Sequence, residues 1–248
     1  MRDLVYPPVI GFAKTAFKVL DLKLQLTGTE NVPRTGGAVI AINHISYVDF
    51  ILGGYGALPS KRLVRFMAKE SLFRSRYSGP LMRGMHHIPV DRGAGATSYQ
   101  QAIGYLGAGE VVGVFPEATI SRSFELKEFK SGTVRMAAEA AVPLIPMILW
   151  GTQRMLTKDH PRDFARHRTI AITIGPPMTV ADDDDPAEAT AQLRSTMTGM
   201  LDRTIRAYPE QPAGAWWLPA SYGGSAPTPE EAERLDQEEL ARRASRRR

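Results

Sequence analysis

The sequence of 248 residues contains no cysteine. This absence excludes a disulfide scaffold, a thiolate zinc site, an iron–sulfur cluster and a cysteine nucleophile. The sequence also lacks a run of about 18 apolar residues, so no segment is predicted to span a membrane, and no signal-peptide cleavage site follows its apolar start. Because 43% of the residues are hydrophobic and 23% are charged, we expect one large globular domain, not a coiled coil or a disordered chain.

Several common functional signatures are missing as well. The sequence has no phosphate-loop motif, no Gly-x-Ser-x-Gly motif and no His-Glu-x-x-His motif. Residues 93–98 approximate a dinucleotide loop, but a serine stands at the third glycine position, so we predict a turn before a helix. The acidic run at residues 182–185 predicts a helix start and not a metal site, because Asp185, Pro186 and Glu188 form a capping pattern.

Short apolar runs alternate with helical patterns along most of the chain. After an alternating segment at residues 22–26, strands are predicted at residues 38–42, 63–68, 111–115, 144–150 and 169–174. Helices are predicted after Val48 and at residues 95–106, 132–141 and 187–208. This alternation predicts an α/β domain with a mixed, largely parallel sheet flanked by helices.

An amphipathic helix is predicted near the N-terminus. Over residues 9–20, apolar side chains share one helical face, while Lys14 and Lys18 lie on the other. Such a helix suits packing against the domain and also suits a membrane interface. We predict three parts: an N-terminal amphipathic helix with a membrane-contact role (1–21), a catalytic domain (22–212), and a tryptophan-containing strap with a charged C-terminal tail (213–248).

The net charge of +5 has a local origin. Residues 60–92 contain eight basic and two acidic residues, an excess larger than that of the whole chain. Two interpretations remain open: a solubilising surface, or a basic wall that faces an anionic ligand or lipid surface.

The segment from Asn43 to Asp49 has the pattern of a catalytic site. It directly follows the predicted strand at residues 38–42, whose carboxyl end is where open α/β sheets bind ligands. Asp49 can accept a hydrogen bond from one ring nitrogen of His44 and leave the other nitrogen free as a base. Since no nucleophile accompanies the pair locally, the nucleophile would be an alcohol of the substrate. The alternative is that both residues only cap the following helix.

A second polar segment, at residues 114–122, also follows an apolar strand. It brings Glu117, Thr119 and Arg122 to the same edge of the predicted sheet. The alternative is an ordinary helix start or turn. Two strand ends that deliver polar residues to one rim favour a functional site.

These segments together resemble the glycerolipid acyltransferase family, which includes the PlsC-like 1-acylglycerol-3-phosphate O-acyltransferases. The resemblance covers about residues 20–180. It depends on four segments in the family's order: the His-x4-Asp motif at His44 and Asp49, residues 84–92 ending in Val-Asp-Arg, Phe-Pro-Glu at 115–117, and Val-Pro-Leu-Ile-Pro at 142–146. The Ala/Arg-rich composition and the Trp216-Trp217 pair are most similar to actinobacterial members, including mycobacterial ones.

The resemblance implies a glycerol-3-phosphate acyltransferase-like fold and roles for individual residues. His44 would take the proton from a glycerol hydroxyl as it attacks an acyl thioester, while Asp49 orients the imidazole. The residues that would line or adjoin the acceptor pocket are Arg92, which would bind the phosphate, and Glu117, Thr119, Lys69 and Lys130.

The chain departs from the family in its third segment. The family commonly has Pro-Glu-Gly-Thr-Arg-Ser there, whereas this chain has Ala118 and Ile120 at the glycine and arginine positions. Because an arginine can make a bidentate phosphate contact, its loss implies one of two things. Either Arg122 or Lys130 takes its place, or the acceptor is less anionic than lysophosphatidate.

The implied reaction moves a fatty acyl group from acyl-CoA or acyl carrier protein to the free hydroxyl of a lysophospholipid. The first expectation is 1-acylglycerol 3-phosphate, giving phosphatidic acid in phospholipid biosynthesis. The protein would act peripherally at the cytoplasmic face of the cell membrane, with no metal and no cofactor beyond the acyl donor.

Three alternatives stay open at this stage. One is transfer to glycerol 3-phosphate or a glycolipid, and another is hydrolysis of the acyl thioester by the same His–Asp pair. The third is a membrane- or nucleic-acid-binding module without enzymatic activity. The third is disfavoured because the basic segment lacks the interleaved aromatic residues used for base stacking, and we expect no nucleic-acid partner.

Overall fold

The computed structural model describes residues 3–91 and 95–245. Its centre is a seven-stranded sheet in the order β1-β7-β6-β2-β5-β3-β4. The strands are β1 (Lys23–Thr27), β2 (Ala38–Ile42), β3 (Val64–Lys69), β4 (Ile88–Val90), β5 (Val111–Val114), β6 (Leu144–Trp150) and β7 (Thr169–Ile174). Only the β6–β7 pair is antiparallel among the strand pairs of the described residues. The predicted mixed, largely parallel sheet is confirmed.

Helices cover both faces of this sheet. They are α1 (Tyr6–Val19), α2 (Asp49–Ala57), α3 (Glu70–Arg74), α4 (Ser78–Gly84), α5 (Gly95–Gly107), α6 (Gly132–Glu139), α7 (Pro186–Ala207) and α8 (Pro229–Ser245). The predicted N-terminal helix is confirmed. The short elements α3, α4 and β4 were not predicted from the sequence, because three to seven residues are too few to show a periodic pattern.

The core has two parts because successive residues of a strand point to opposite faces of the sheet. In β2, Val39 and Ala41 pack in the part that contains residues of α5, α6 and α7. Ile40 and Ile42 pack in the other part, against α1 and α2. Since β2 is buried on both faces, its sequence is a continuous apolar run.

The acidic run before α7 starts a helix, as predicted. The Asp185 side chain accepts a hydrogen bond from the backbone N–H of Ala187 at 2.9 Å, and Pro186 occupies the first turn. This arrangement satisfies a backbone donor that the helix itself leaves unpaired.

Two arginines of the basic segment do not form a surface. Arg62 is buried and donates hydrogen bonds to three backbone carbonyls of neighbouring loops. Arg65 is buried between the carboxylates of Asp3 and Glu110. Neither interpretation of the segment, as a solubilising surface or as a basic wall, holds for these two side chains. A count of charged residues along the sequence does not show which cations are buried and which face solvent.

The tryptophan-containing segment packs against the domain. Trp217 is buried, and the Arg154 guanidinium lies 4.3 Å from its ring centroid. Trp216 stacks on the His160 ring at 3.9 Å between centroids. The division of the chain at residues 21 and 212 stays a prediction.

Across the described ranges, 3–91 and 95–245, none of the helices combines the length and the apolar character needed to cross a membrane.

Candidate active site

Four strand ends meet at one edge of the sheet. Since β2, β3, β4 and β5 are parallel, their carboxyl ends lie side by side. His44 follows β2, Phe115 follows β5, and Lys69 ends β3, where it pairs in register with Val90 of β4. Arg92, the predicted phosphate ligand, lies outside the described residues.

His44 and Asp49 form the expected pair. His44 Nδ1 lies 3.0 Å from Asp49 Oδ2, and the Asp49 side chain is fully buried at the start of α2. The same Oδ2 accepts the backbone N–H groups of Ile45 and Ser46, each at 2.7 Å. The other oxygen, Oδ1, accepts the hydroxyl hydrogen of Thr152 at 2.6 Å. The carboxylate is therefore held from both sides and serves the imidazole as a fixed acceptor.

This contact assigns the protons of the neutral imidazole. Because an ionised Asp49 can only accept hydrogen bonds, Nδ1 carries the ring proton and Nε2 is the free base. The His44 side chain remains 20% exposed. It can therefore receive a proton from a bound hydroxyl group.

A stacked ring fixes the plane of the imidazole. The Phe115 ring lies 4.2 Å from the His44 ring, with an interplanar angle of 23°. Phe115 in turn stacks on Phe66 of β3 at 5.9 Å. Hydrogen bonding to Asp49 and stacking on Phe115 together restrict the position and the orientation of the base.

Glu117 connects the two polar segments behind the base. Its side chain is buried, and Oε1 accepts the backbone N–H of His44 at 2.8 Å. Oε2 accepts the backbone N–H of Lys127 at 3.1 Å. Burial raises the pKa of the Glu117 carboxyl to about 8, against the opposing effect of the two N–H donors. Glu117 thus holds the backbone of His44 and of Lys127 in position. Its predicted contact with the acceptor stays a prediction.

The next residues explain the altered third segment. Ala118 has φ of 59°, in the left-handed region that favours glycine. The glycine of the family pattern suits this turn, and here alanine adopts it. Ile120 is buried, so no cation projects from the position where the family has arginine.

The backbone next to Arg122 is hydrogen-bonded to the backbone of His44. The preceding residue, Ser121, donates its backbone N–H to the carbonyl of His44 at 2.8 Å. The Arg122 guanidinium, however, is enclosed by the carboxylates of Asp159, Asp236 and Glu239.

The remaining predicted cations differ in placement. Lys130 is exposed, and its N–H donates to the carbonyl of Pro116 at 2.9 Å, which keeps it beside the third segment. Lys69 is also exposed, at the sheet edge described above. Thr119 is half-buried and accepts a hydrogen bond from Lys127 Nζ at 2.8 Å. Roles for these side chains in binding the acceptor stay predictions.

Two contributors to the site were missed by sequence reasoning. Thr152 lies 103 residues from Asp49 in the chain, and Lys127 was not singled out. A signal for Thr152 existed, because it follows β6, which is parallel to β2 and ends at the same edge. The stacking role of Phe115 has no comparable signal.

An apolar groove lies beside the site, between α1, α2 and β3. The groove is open to solvent on one side. Its walls include Val9 and Phe17 of α1, Phe50 and Tyr55 of α2, and Phe66 of β3. Since Phe66 also stacks on Phe115, the groove and the base share a wall.

Known proteins match large parts of this chain. A family model described as acyltransferase matches residues 23–150. The 1-acyl-sn-glycerol-3-phosphate acyltransferase of Bacillus subtilis (strain 168) is 33% identical over 175 residues, which cover 69% of this chain and 83% of that protein. The protein of the same name from Borreliella burgdorferi is 29% identical over 150 residues, covering 59% of this chain and 58% of that protein.

A solved structure shares the fold. The 1-acyl-sn-glycerophosphate acyltransferase PlsC from Thermotoga maritima matches with a TM-score of 0.69, over 82% of this chain and 81% of that chain, at 21% identity. The predicted actinobacterial character stays a prediction. The family model spans the strands and turns that carry His44, Asp49 and Glu117, and this chain belongs to the acyltransferase family.

Proposed function

We propose that the protein transfers a fatty acyl group from a thioester donor to the free hydroxyl of 1-acyl-sn-glycerol 3-phosphate. The products are phosphatidic acid and a free thiol. The observation that carries the proposal is the His44–Asp49 pair, a held base at the rim of the sheet. The relatives from Bacillus and Borreliella carry the name of this activity.

The surroundings of the base favour a nucleophile from the substrate. Ser46 and Ser121 are the serines of the two polar segments. Their hydroxyl groups donate to the backbone carbonyls of Leu156 at 2.6 Å and Glu125 at 2.7 Å. Both are engaged with backbone, which supports direct attack by the acceptor's alcohol over a covalent acyl-enzyme.

The reaction needs one proton to pass from the acceptor hydroxyl through His44 to the leaving thiolate. His44 Nε2 removes the hydroxyl proton as the acceptor oxygen bonds to the thioester carbonyl carbon. The carbon–sulfur bond of the resulting tetrahedral intermediate breaks, and the proton passes from Nε2 to the departing thiolate. Asp49 remains ionised and stabilises the imidazolium between these two steps. A positioned general base contributes about 10²–10⁴ in rate.

The groove beside the site supports a lipid substrate. Most of its walls are apolar side chains of α1, α2 and β3, with His87 also in the lining, and it adjoins His44 through Phe66 and Phe115. Burying apolar surface stabilises a bound chain by roughly 0.8 kcal/mol for each methylene group. We assign the groove to a fatty acyl chain.

The surface around α1 supports peripheral binding to a membrane. Phe12 of α1 and Tyr77, just before α4, are each 78% exposed. Leu72 of α3 and Leu81 of α4 are also exposed. Arg76 and Arg83 lie in the same α3–α4 region, whose buried residues pack against α1. Exposed apolar side chains beside cations are typical of an interface with anionic lipids. We place this face on the cytoplasmic side of the cell membrane.

The thioester donor we propose is acyl-CoA or acyl carrier protein, as the family resemblance implies. That no metal or further cofactor takes part stays a prediction.

An acceptor panel tests the proposed function. Purified protein is supplied with oleoyl-CoA and either lysophosphatidate, glycerol 3-phosphate, a neutral lysolipid, a glycolipid or no acceptor, while thiol release and acylated product are measured. We expect thiol release only with lysophosphatidate, with phosphatidic acid as the product. Equal thiol release without any acceptor would identify a thioesterase instead. Acyl transfer only to another acceptor would show that the substrate belongs to that acceptor's class.

A further inference from the structure

Three cations converge on two carboxylates of the C-terminal helix. Asp236 of α8 pairs with Arg122 and Lys127, and its Oδ1 lies 3.0 Å from Lys158 Nζ. Glu239, one turn later, pairs with Arg122 at 2.9 Å and with Lys158 at 3.3 Å. We call Arg122, Lys127 and Lys158 the cation triad.

Hydrogen bonds connect the segment that carries Arg122 and Lys127 to His44. Lys127 donates its N–H to the Glu117 carboxyl, whose other oxygen holds the N–H of His44. Its ammonium group also donates to Thr119 at 2.8 Å. Arg122 follows Ser121, which is bonded to the carbonyl of His44. An anion held by the triad would therefore lie beside the segment that follows β5, at the edge of the sheet where His44 follows β2.

The helix that covers the triad is held mainly by charge. Ala232 is the only hydrophobic residue of α8 that is buried, among the side chains described for that helix. Leu240 is exposed. Because little apolar surface attaches α8 to the domain, its position depends on the ion pairs of Asp236 and Glu239.

We propose that the cation triad is a subsite for a phosphomonoester, that Asp236 and Glu239 occupy it in the free protein, and that α8 is displaced when the phosphomonoester binds. The inference depends on the proposed function for the origin of that group. With α8 withdrawn, the triad retains one carboxylate partner, Asp159, and a net charge of +2. A phosphomonoester at neutral pH carries about −1.5 to −2, which matches this charge.

The exchange of one anion for another is favourable on physical grounds. Removing a single partner from a buried cation is costly, but replacing carboxylates by phosphate oxygens keeps every cation paired. Arginine also binds phosphate in a bidentate fashion, as it does carboxylate. The subsite supplies a guanidinium where Ile120 has replaced the arginine of the family pattern.

Amide hydrogen exchange of α8 in the full chain tests the displacement. Exchange over residues 229–245 is compared in sodium chloride and in inorganic phosphate or glycerol 3-phosphate at equal ionic strength. We expect faster exchange of α8 with either phosphate compound and unchanged exchange in β2. Identical exchange of α8 in all three solutions would overturn the proposal.

A matched pair of variants tests the competition. Asp236→Asn removes the carboxylate that contacts all three cations, whereas Glu238→Gln removes an equal charge that pairs only with arginines of α8 itself in the described contacts. We expect Asp236→Asn to lower the Kd for glycerol 3-phosphate by about tenfold, because the binding-competent state becomes more populated. Glu238→Gln should leave it unchanged. If Asp236→Asn lowers only the thermal stability, α8 is a structural strap and the proposal is wrong.

Two further ligands identify the source of the phosphomonoester. A response of α8 to coenzyme A that is lost with 3′-dephospho-coenzyme A assigns the subsite to the donor. A response to glycerol 3-phosphate without any response to coenzyme A assigns it to the acceptor. If the protein makes phosphatidic acid but the hydrogen exchange of α8 does not respond to phosphate, only the subsite is refuted. If phosphate displaces α8 but the protein transfers an acyl group to none of the acceptors, only the proposed reaction is refuted.

Discussion

Thr152 and Asp49 are 103 residues apart in the chain, yet the threonine hydroxyl donates to Asp49 Oδ1 at 2.6 Å. This contact leaves Oδ2 for His44 and for two backbone N–H groups. The loop after β6 thus sets the orientation of the carboxylate, and through it the orientation of the base.

Thr152→Val should lower kcat by about tenfold with little change in KM, because the carboxylate loses a donor while the pocket keeps its shape. The lost bond to a buried charge should also cost about 1.5–3 kcal/mol of unfolding free energy. Thr152→Ser keeps the hydroxyl and should restore both quantities. Steady-state kinetics and urea unfolding of the three proteins measure this, and a serine variant as impaired as the valine variant would contradict it.

His44→Ala should reduce acyl transfer by about 10²–10⁴ without unfolding the protein, since it removes the general base. His167→Ala is the matched control, because His167 forms an exposed pair with Asp21 at 2.7 Å and lies outside the site. Thiol release from oleoyl-CoA with lysophosphatidate is the measurement. Retention of most activity by His44→Ala would exclude this residue as the base.

Glu117 should make stability fall as the pH rises from about 5 to 8. Its pKa of about 8 in the folded protein exceeds the usual glutamate value of 4.5, so the folded protein binds more protons than the unfolded chain in this range. The stabilising contribution is complete below the unfolded pKa and is lost as the pH passes through the folded pKa.

Glu117→Gln should remove this contribution and flatten the dependence of stability on pH. Urea unfolding of both proteins at pH 5, 6.5 and 8 measures the difference. Comparing the variant with the parent cancels the opposite effect of His87, whose pKa burial lowers to about 4. Equal slopes in the two proteins would contradict the raised pKa.

Ala118→Gly should stabilise the protein by about 0.5–1 kcal/mol. The left-handed conformation at φ of 59° strains an alanine, and this relief exceeds the added entropy of the unfolded glycine chain. Ala140 has an ordinary φ of −84°, so Ala140→Gly should instead destabilise by about 0.5–1 kcal/mol. Chemical denaturation distinguishes the two substitutions, and opposite signs are required.

Much of the fold follows from local pattern. Buried strands that are covered on both faces are continuous apolar runs, and this feature is visible at β2 and β6 without any tertiary information. The His44–Asp49 pair is also local, since five residues across one strand-to-helix turn suffice to form it. Elements such as β4 were missed because three residues show no period.

What the sequence by itself determined was the α/β class, the helix start at Asp185 and the pairing of His44 with Asp49, because each depends on residues close together in the chain. The tertiary structure alone decided that Thr152 binds Asp49, that Glu117 binds the backbone of His44, and that α8 covers Arg122. These contacts join segments more than 70 residues apart. Their formation depends on the order and direction of the strands, which no local pattern of residues encodes.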